Sequence, residues 1–322
     1  MVDEKTNKYN KILVTGAAGF IGANLVRRLV KDGSNKVHII VKKESNLWRI
    51  DPIKEKLTLH EVDLLDYSLL NNIVKEIKPD YIFHLATYGA YPRTQKDIKK
   101  IADTIYAGTV NLILVLNDVP YKLFVNTGTS SEYGKNDKPM NENDLPKPNI
   151  VYGAVKAGIT LLCQTIADIY DKNICTLRLF SAYGPYEDKD RLIQYLMINC
   201  INGKALQVSE GNQARDFVYV DDIIDAYIAT MKNPEKVKGQ VINIGSGKQT
   251  KIKIVINKVV ELTGFNSTIK WGERKMESFE TDIWIADVQK AKALLNWSAK
   301  FDIQNGLEKN IEWFKKNKEI YD

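Results

Sequence analysis

The first patterned stretch of the chain is Ile12-Leu13-Val14, a short apolar run that reads as a buried strand. Glycines at 16, 19 and 22 follow, and apolar residues then recur at helical spacing from Phe20 to Val30. The pattern predicts strand, turn, helix. Val37 to Val41 predicts a second strand and Leu57 to His60 a short third. Leu69 to Ile77 has helical spacing and ends before Pro79. Tyr81-Ile82-Phe83-His84-Leu85 predicts a fourth strand, Ile98 to Leu116 a long helix, and Leu123 to Asn126 a fifth strand. Val151 to Tyr170 predicts a second long helix and Ile174 to Leu179 a sixth strand. Short apolar strands alternating with helices imply βαβ units and a parallel sheet. Strands this apolar are covered on both faces. Beyond Pro185 the pattern loosens and Gly, Asn and charged residues increase. The expected division is therefore a large α/β domain over residues 1–180 and a smaller lobe over 181–322, with about 215–248 returning to the main sheet.

Composition narrows the class. With 322 residues, 44% hydrophobic and 27% charged, the chain is an ordinary globular protein. The net charge of +6 comes from lysines spread along the chain, which fits a solvated surface better than a nucleic-acid groove. Cys163, Cys175 and Cys200 are odd in number and widely spaced, which argues against a disulfide framework and against a metal site. The polar start MVDEKTNKYN is not a signal peptide, and no apolar run reaches the length of a membrane span. A reducing cytoplasm, with neither membrane nor nucleic-acid partners, is the expectation.

Two constellations carry chemistry. Gly16, Gly19 and Gly22 lie between a strand and a helix, where unpaired backbone N–H groups and the helix dipole favour a pyrophosphate. A tight turn without a ligand is the alternative. After the second strand, where an acid would bind a ribose 2′-hydroxyl, stand Lys42 and Lys43, with Arg49 nearby. Cations there attract a 2′-phosphate, which favours NADP(H) over NAD(H), although a solvated lysine pair is the plain alternative. Asp63 and Leu64 are placed to meet the adenine. Tyr152 and Lys156 are four apart on a helix and share a face. An ammonium beside a phenol favours the phenolate, so the pair can relay a proton to or from a carbinol oxygen. Thr129, just past the fifth strand, is placed to hydrogen-bond the same oxygen.

These residues resemble the extended short-chain dehydrogenase/reductase family, in its sugar-nucleotide branch. TGAAGFIG at 15–22, NTGTSSEYG at 126–134, YGAVK at 152–156 and RDFVYVDD at 215–222 carry the resemblance, with HLAT at 84–87, RLFSAYGP at 178–185 and NIGSG at 243–247. The resemblance implies a Rossmann doubly wound parallel sheet with a smaller C-terminal α/β lobe for a nucleoside-diphosphate sugar. It makes Thr129, Tyr152 and Lys156 the catalytic triad. It places Gly16, Gly19, Phe20, Ile21, Gly22, Leu85 and Ala86 against the dinucleotide. It assigns Ser130, Ser131, Ser181, Arg191 and Arg215 to the substrate, and the two long helices to a four-helix dimer interface.

Three departures shape the expected reaction. Ser130 and Ser131 stand where 4,6-dehydratases of the family carry an Asp-Glu pair, which disfavours dehydration. Ile105 replaces a family Asn, and Ser181 stands where 4-epimerases often carry an Asn. The main expectation is an NADPH-dependent reductase acting at C4 of a 4-keto-6-deoxy sugar nucleotide, with Tyr152 as proton donor. The alternative is a nucleotide-sugar 4-epimerase using the same residues. A non-catalytic dinucleotide sensor fits less well, because the triad residues are all present.

Overall fold

The computed structural model describes residues 9–90, 96–274 and 283–321. The strands, in chain order, are β1 (Asn10–Thr15), β2 (Asn35–Val41), β3 (Thr58–Glu61), β4 (Tyr81–His84), β5 (Leu123–Thr129), β6 (Ile174–Leu179), β7 (Ser181–Tyr183), β8 (Leu206–Gln207), β9 (Ala214–Arg215), β10 (Phe217–Tyr219), β11 (Val241–Ile244), β12 (Thr250–Lys251) and β13 (Ile269–Lys270). The helices are α1 (Phe20–Asp32), α2 (Tyr67–Ile77), α3 (Ile98–Ala102), α4 (Gly108–Val115), α5 (Val151–Ile169), α6 (Leu192–Ile201), α7 (Val220–Lys232), α8 (Pro234–Val237), α9 (Ile252–Thr263), α10 (Gln289–Leu295) and α11 (Ile303–Lys316).

The main sheet has seven parallel strands in the order β11-β6-β5-β4-β1-β2-β3. Its order reverses between β1 and β4, and the crevice beyond the strand ends at such a reversal is where open α/β sheets bind ligands. Register makes those ends level: Thr15 pairs with His84, and His84 with Asn126. This is a Rossmann-like sheet with helices on both faces, as the alternation of strand and helix implied. One apolar core, with Ile12, Val14, Leu25, Ile39, Phe83 and Leu177, lies on one face and takes in Val220, Ile223 and Tyr227 of α7. A second, with Leu13, Leu70, Ile82, Leu112 and Phe124, lies on the other. A third core around Leu196, Val255, Leu307 and Phe314 holds α6, α9 and α11 together beside the sheet.

The long helix expected over Ile98 to Leu116 is not uniform. A π-helical turn, Asp103–Ala107, separates α3 from α4. Next to it the Thr109 hydroxyl donates to the Ile105 carbonyl while its oxygen meets His84 Nε2 at 2.7 Å. Thr15 Oγ1 lies 2.7 Å from His84 Nδ1 and accepts from the Ala86 N–H. The donors run in one direction, so His84 carries its proton on Nε2. Burial pushes its pKa down to about 3, and the ring is neutral. This buried chain ties the ends of β1 and β4 to the helix that carries Ile105.

Candidate active site

The glycine turn is built from backbone. Gly16 has φ +72°, and a Cβ there would lie 2.5 Å from the Leu85 carbonyl carbon. At Gly22 a Cβ would lie 2.1 Å from the Gly16 oxygen. Side chains at either place would push the turn off the strand ends. Gly19 caps α1 with no side-chain hydrogen bond, so no side chain occupies the N–H groups of the first turn. Phe20 and Ile21 open the helix, and Leu85 and Ala86 form the facing wall at the end of β4. A cradle this close, at a helix N-terminus, fits the pyrophosphate of a dinucleotide.

At the end of β2 the side chains are arranged differently from the expectation of two available cations. Lys42 Nζ pairs with Asp63 Oδ2 at 2.8 Å, so two residues singled out separately for the cofactor hold each other. Asp63 is only partly withdrawn from water; burial works to raise its pKa, but Lys42 and the Leu65 N–H pull it below the usual carboxylate range. Lys43 is exposed, and Leu64 is buried with its carbonyl on Asn111 Nδ2. Arg49 Nε donates to the Tyr186 carbonyl at 2.7 Å.

The opposite wall is made of buried side chains. Tyr152, Lys156, Ile159, Thr160 and Cys163 form the inward stripe of α5. Gly153 lets that helix close on the loop after β5, since a Cβ there would meet the Ser131 carbonyl oxygen at 2.4 Å. The Tyr152 hydroxyl is held by the side chains of Thr87 and Thr129. Lys156 Nζ donates to the Thr127 carbonyl at 2.7 Å. The expected lowering of the phenol by its lysine is not what the chain alone displays. Burial pushes Tyr152 up to about 12, and the Glu132 carboxylate adds to this. Burial also brings Lys156 down to about 8, against Glu132, which favours its charged form.

The loop residues have defined partners. Ser131 N donates to Thr129 Oγ1 at 3.3 Å. Ser130 is buried, and its hydroxyl accepts from Trp284 Nε1 at 3.1 Å. The Arg215 guanidinium lies over the Trp284 ring, so Arg215 and the Thr129 loop are joined through one indole. Arg191 caps α6, faces Glu187 at 3.6 Å, and is near enough to Tyr152 to favour its phenolate. Ser181 lies on β7, with its backbone N–H on the Asp216 carbonyl. Asp216, the residue after Arg215, is buried and accepts from the N–H groups of Ser246 and Gly247, at the end of the NIGSG segment, and of Ala286.

The structure thus brings Thr129, Tyr152 and Lys156 together and adds residues that sequence reasoning missed. Thr87 closes the quoted HLAT motif yet drew no role, and Glu132, Arg178 and Trp284 drew none. Among the described residues no cluster of His, Cys, Asp and Glu could hold a metal ion, and no helix is long and apolar enough to cross a membrane.

Comparison with known proteins identifies the family. Residues 12–245 match the model of the NAD dependent epimerase/dehydratase family. A UDP-glucuronate 4-epimerase of Thermodesulfobacterium geofontis is 30% identical, over 96% of this chain and 97% of that protein. The crystal structure of a Bacillus cereus UDP-glucuronic acid 4-epimerase, in complex with UDP-glucuronic acid and NAD, superposes with a TM-score of 0.86 at 29% identity, covering 95% of this chain and 99% of that one. A Thermotoga maritima UDP-glucose 4-epimerase with UDP-glucose gives a TM-score of 0.88 at 27% identity, with coverage of 95% and 99%. The chain belongs to the NAD-dependent epimerase/dehydratase family, within the extended short-chain dehydrogenase/reductases.

Proposed function

We propose that the chain is a nucleotide-sugar 4-epimerase that keeps its dinucleotide through the cycle. The observation that carries this reading is the convergence of Thr87 and Thr129 on the Tyr152 phenol, with Ser130 and Ser131 where dehydration would need carboxylates. The reductase expected from the sequence drew on Lys42 and Lys43. Asp63 neutralises Lys42, which removes much of the attraction for a 2′-phosphate and favours NAD(H). The relatives named above are 4-epimerases, and the Bacillus cereus structure holds NAD.

A bound nicotinamide would supply the hydride acceptor and donor, and its oxidised form would carry a positive charge that favours the phenolate. Tyr152 takes the proton from the sugar C4 hydroxyl during oxidation and gives it back to the C4 oxygen after the sugar has presented its other face. Thr129 and Thr87 hold the phenolic oxygen in place, and Lys156 sets the local charge. Arg191 and Arg215 face the nucleotide sugar, where a guanidinium suits a diphosphate or a carboxylate. Ser181 and Ser131 line the same side. The glycine turn, Leu85, Ala86, Asp63 and Leu64 hold the dinucleotide.

A second copy of the chain covers the long helices in this reading. Ile98, Tyr106, Leu114, Leu161, Ile169 and Tyr170 are exposed on them, and small residues line a shallow groove at Ala102, Ala107, Ala154 and Gly158. The test is to incubate purified protein with UDP-glucose and UDP-glucuronate, with no added cofactor. Formation of the C4 isomer without net change in nicotinamide absorbance supports the epimerase. Stoichiometric NADPH oxidation by a 4-keto sugar nucleotide, with no isomerisation, supports the reductase.

A further inference from the structure

Directly behind the Thr129 loop lies a buried ion pair that the chemistry above does not use. Glu132 and Arg178 are 0% and 2% exposed, and Arg178 Nε meets Glu132 Oε2 at 2.7 Å. Glu132 Oε1 accepts the Thr129 backbone N–H at 2.8 Å, while the Thr129 hydroxyl accepts from the turn that follows. The Thr160 hydroxyl, two turns along α5 from Tyr152, faces the same carboxylate outside strict hydrogen-bond geometry. The strand partner of Thr129 on β6 is Leu179, next to Arg178. Glu132 therefore touches β5 at Thr129, β6 at Arg178 and α5 at Thr160. Tyr133 flanks the pair, with its ring 4.6 Å from the guanidinium and its hydroxyl on Asn243 Oδ1 at 2.8 Å.

A buried pair of this kind contributes little net stability compared with apolar residues of the same shape. Its value lies in what it holds. Without Glu132 the Thr129 N–H would lose its acceptor, and the loop would lose the one carboxylate that also reaches Arg178 on β6 and Thr160 on α5. The same carboxylate is close enough to Tyr152 and Lys156 to act on both through space. Because it is negative, it opposes the phenolate and favours the ammonium.

We propose that Glu132, anchored by Arg178, is a positioning residue for the reaction: it fixes Thr129 against Tyr152 and sets the charge behind the Tyr152–Lys156 pair. The proposal rests on the epimerase reading for its activity measurements. The titratable and charged groups facing Glu132 are Arg178 from β6 and Tyr152, Lys156 and Cys163 from α5. Tyr152 also faces Arg191 and, from α7, Tyr227.

Two variants test it. Glu132→Asp keeps the charge and withdraws the carboxylate from the Thr129 N–H. It is expected to lower kcat roughly 10- to 100-fold, with KM, bound dinucleotide and the pH profile unchanged. Glu132→Gln combined with Arg178→Gln replaces the ions by a neutral amide pair that still offers the N–H an acceptor. Here the acid limb of the kcat profile is expected to move to lower pH, because the phenolate is no longer opposed. The Tyr152 phenol, followed by ultraviolet difference spectra against Tyr152→Phe, should shift in the same direction. Wild-type kcat in Glu132→Asp overturns the positioning role, and an unmoved phenol titration in the double variant overturns the charge role. If the double variant does not fold, kcat of Glu132→Asp alone decides. The phenol titration needs no substrate, so an enzyme inactive on every nucleotide sugar would sink the epimerase reading and leave this proposal tested.

Discussion

The two walls of the cleft are built on opposite principles. The cofactor wall, Gly16 to Gly22, offers backbone N–H groups and leaves no room for side chains. The chemical wall, formed by β5, β6 and α5, is packed with polar side chains, buried at Glu132, Tyr152, Lys156 and Arg178 and partly buried at Thr129. The difference reflects the ligands each would hold. A pyrophosphate is recognised by fixed charge and close approach, which a helix N-terminus and glycines supply cheaply. Moving a proton needs groups whose pKa values are set by their surroundings, and that requires burial with compensating partners. The first wall depends on space and the second on charge balance, so the two should fail in different ways.

The largest effect should come from the chemical wall without loss of the cofactor. Tyr152→Phe is expected to lower kcat by roughly 10²–10⁴-fold while dinucleotide content and unfolding midpoint stay near wild type. Steady-state kinetics and absorbance of the released nucleotide check it. Loss of the dinucleotide from this variant would show that the walls are not separable.

Next is Arg178→Met, which leaves Glu132 buried beside an apolar chain. Removing one partner of a buried pair costs about 3–5 kcal/mol. Burial raises the pKa of Glu132 and Arg178 works against that rise, so the variant raises it further. A folded-state carboxyl held above its unfolded value binds its proton more tightly in the native state. Stability is therefore lost as pH rises from the ordinary carboxylate range towards neutrality. Denaturant unfolding of the variant should show a larger deficit near neutral pH than in acid. A deficit that does not change with pH would mean that Glu132 is not the stranded charge.

The smaller of the two effects on stability falls on the cofactor wall. Gly22→Ala puts a methyl group against the Gly16 oxygen and should cost about 1–3 kcal/mol through overpacking. It should also release the dinucleotide, measured by absorbance after gel filtration. Full retention of the cofactor would show that the turn tolerates the displacement and does not shape the phosphate site.

The contrast also explains which parts of the site were legible in the amino-acid sequence. The turn was legible because its conformation is local: strand, glycines and helix occupy consecutive residues. Tyr152 and Lys156 were legible because helical spacing puts them on one face. The partners that tune them are distant. Arg178 lies 46 residues from Glu132, and Trp284 lies 154 from Ser130. Lys42 and Asp63 each stand at a strand end suited to the cofactor, but nothing in either strand end indicates that they pair with each other. The π-helical turn was hidden as well, since apolar spacing does not report one extra residue per turn. The expectation of reduction with NADPH rests on Lys42 and Lys43 as a pair of available cations, and only Lys43 keeps that character once Asp63 pairs with Lys42.

In the proposed epimerase cycle, hydride leaves and returns at the same sugar carbon. This return is tested most directly by giving the enzyme UDP-glucose carrying deuterium at C4 and examining the C4 isomer by mass spectrometry. An epimerase that keeps its dinucleotide gives an isomer that retains the label, formed without added NADPH. Failure to form the isomer, together with label transfer from C4-deuterated NADPH to a 4-keto sugar nucleotide, would contradict it.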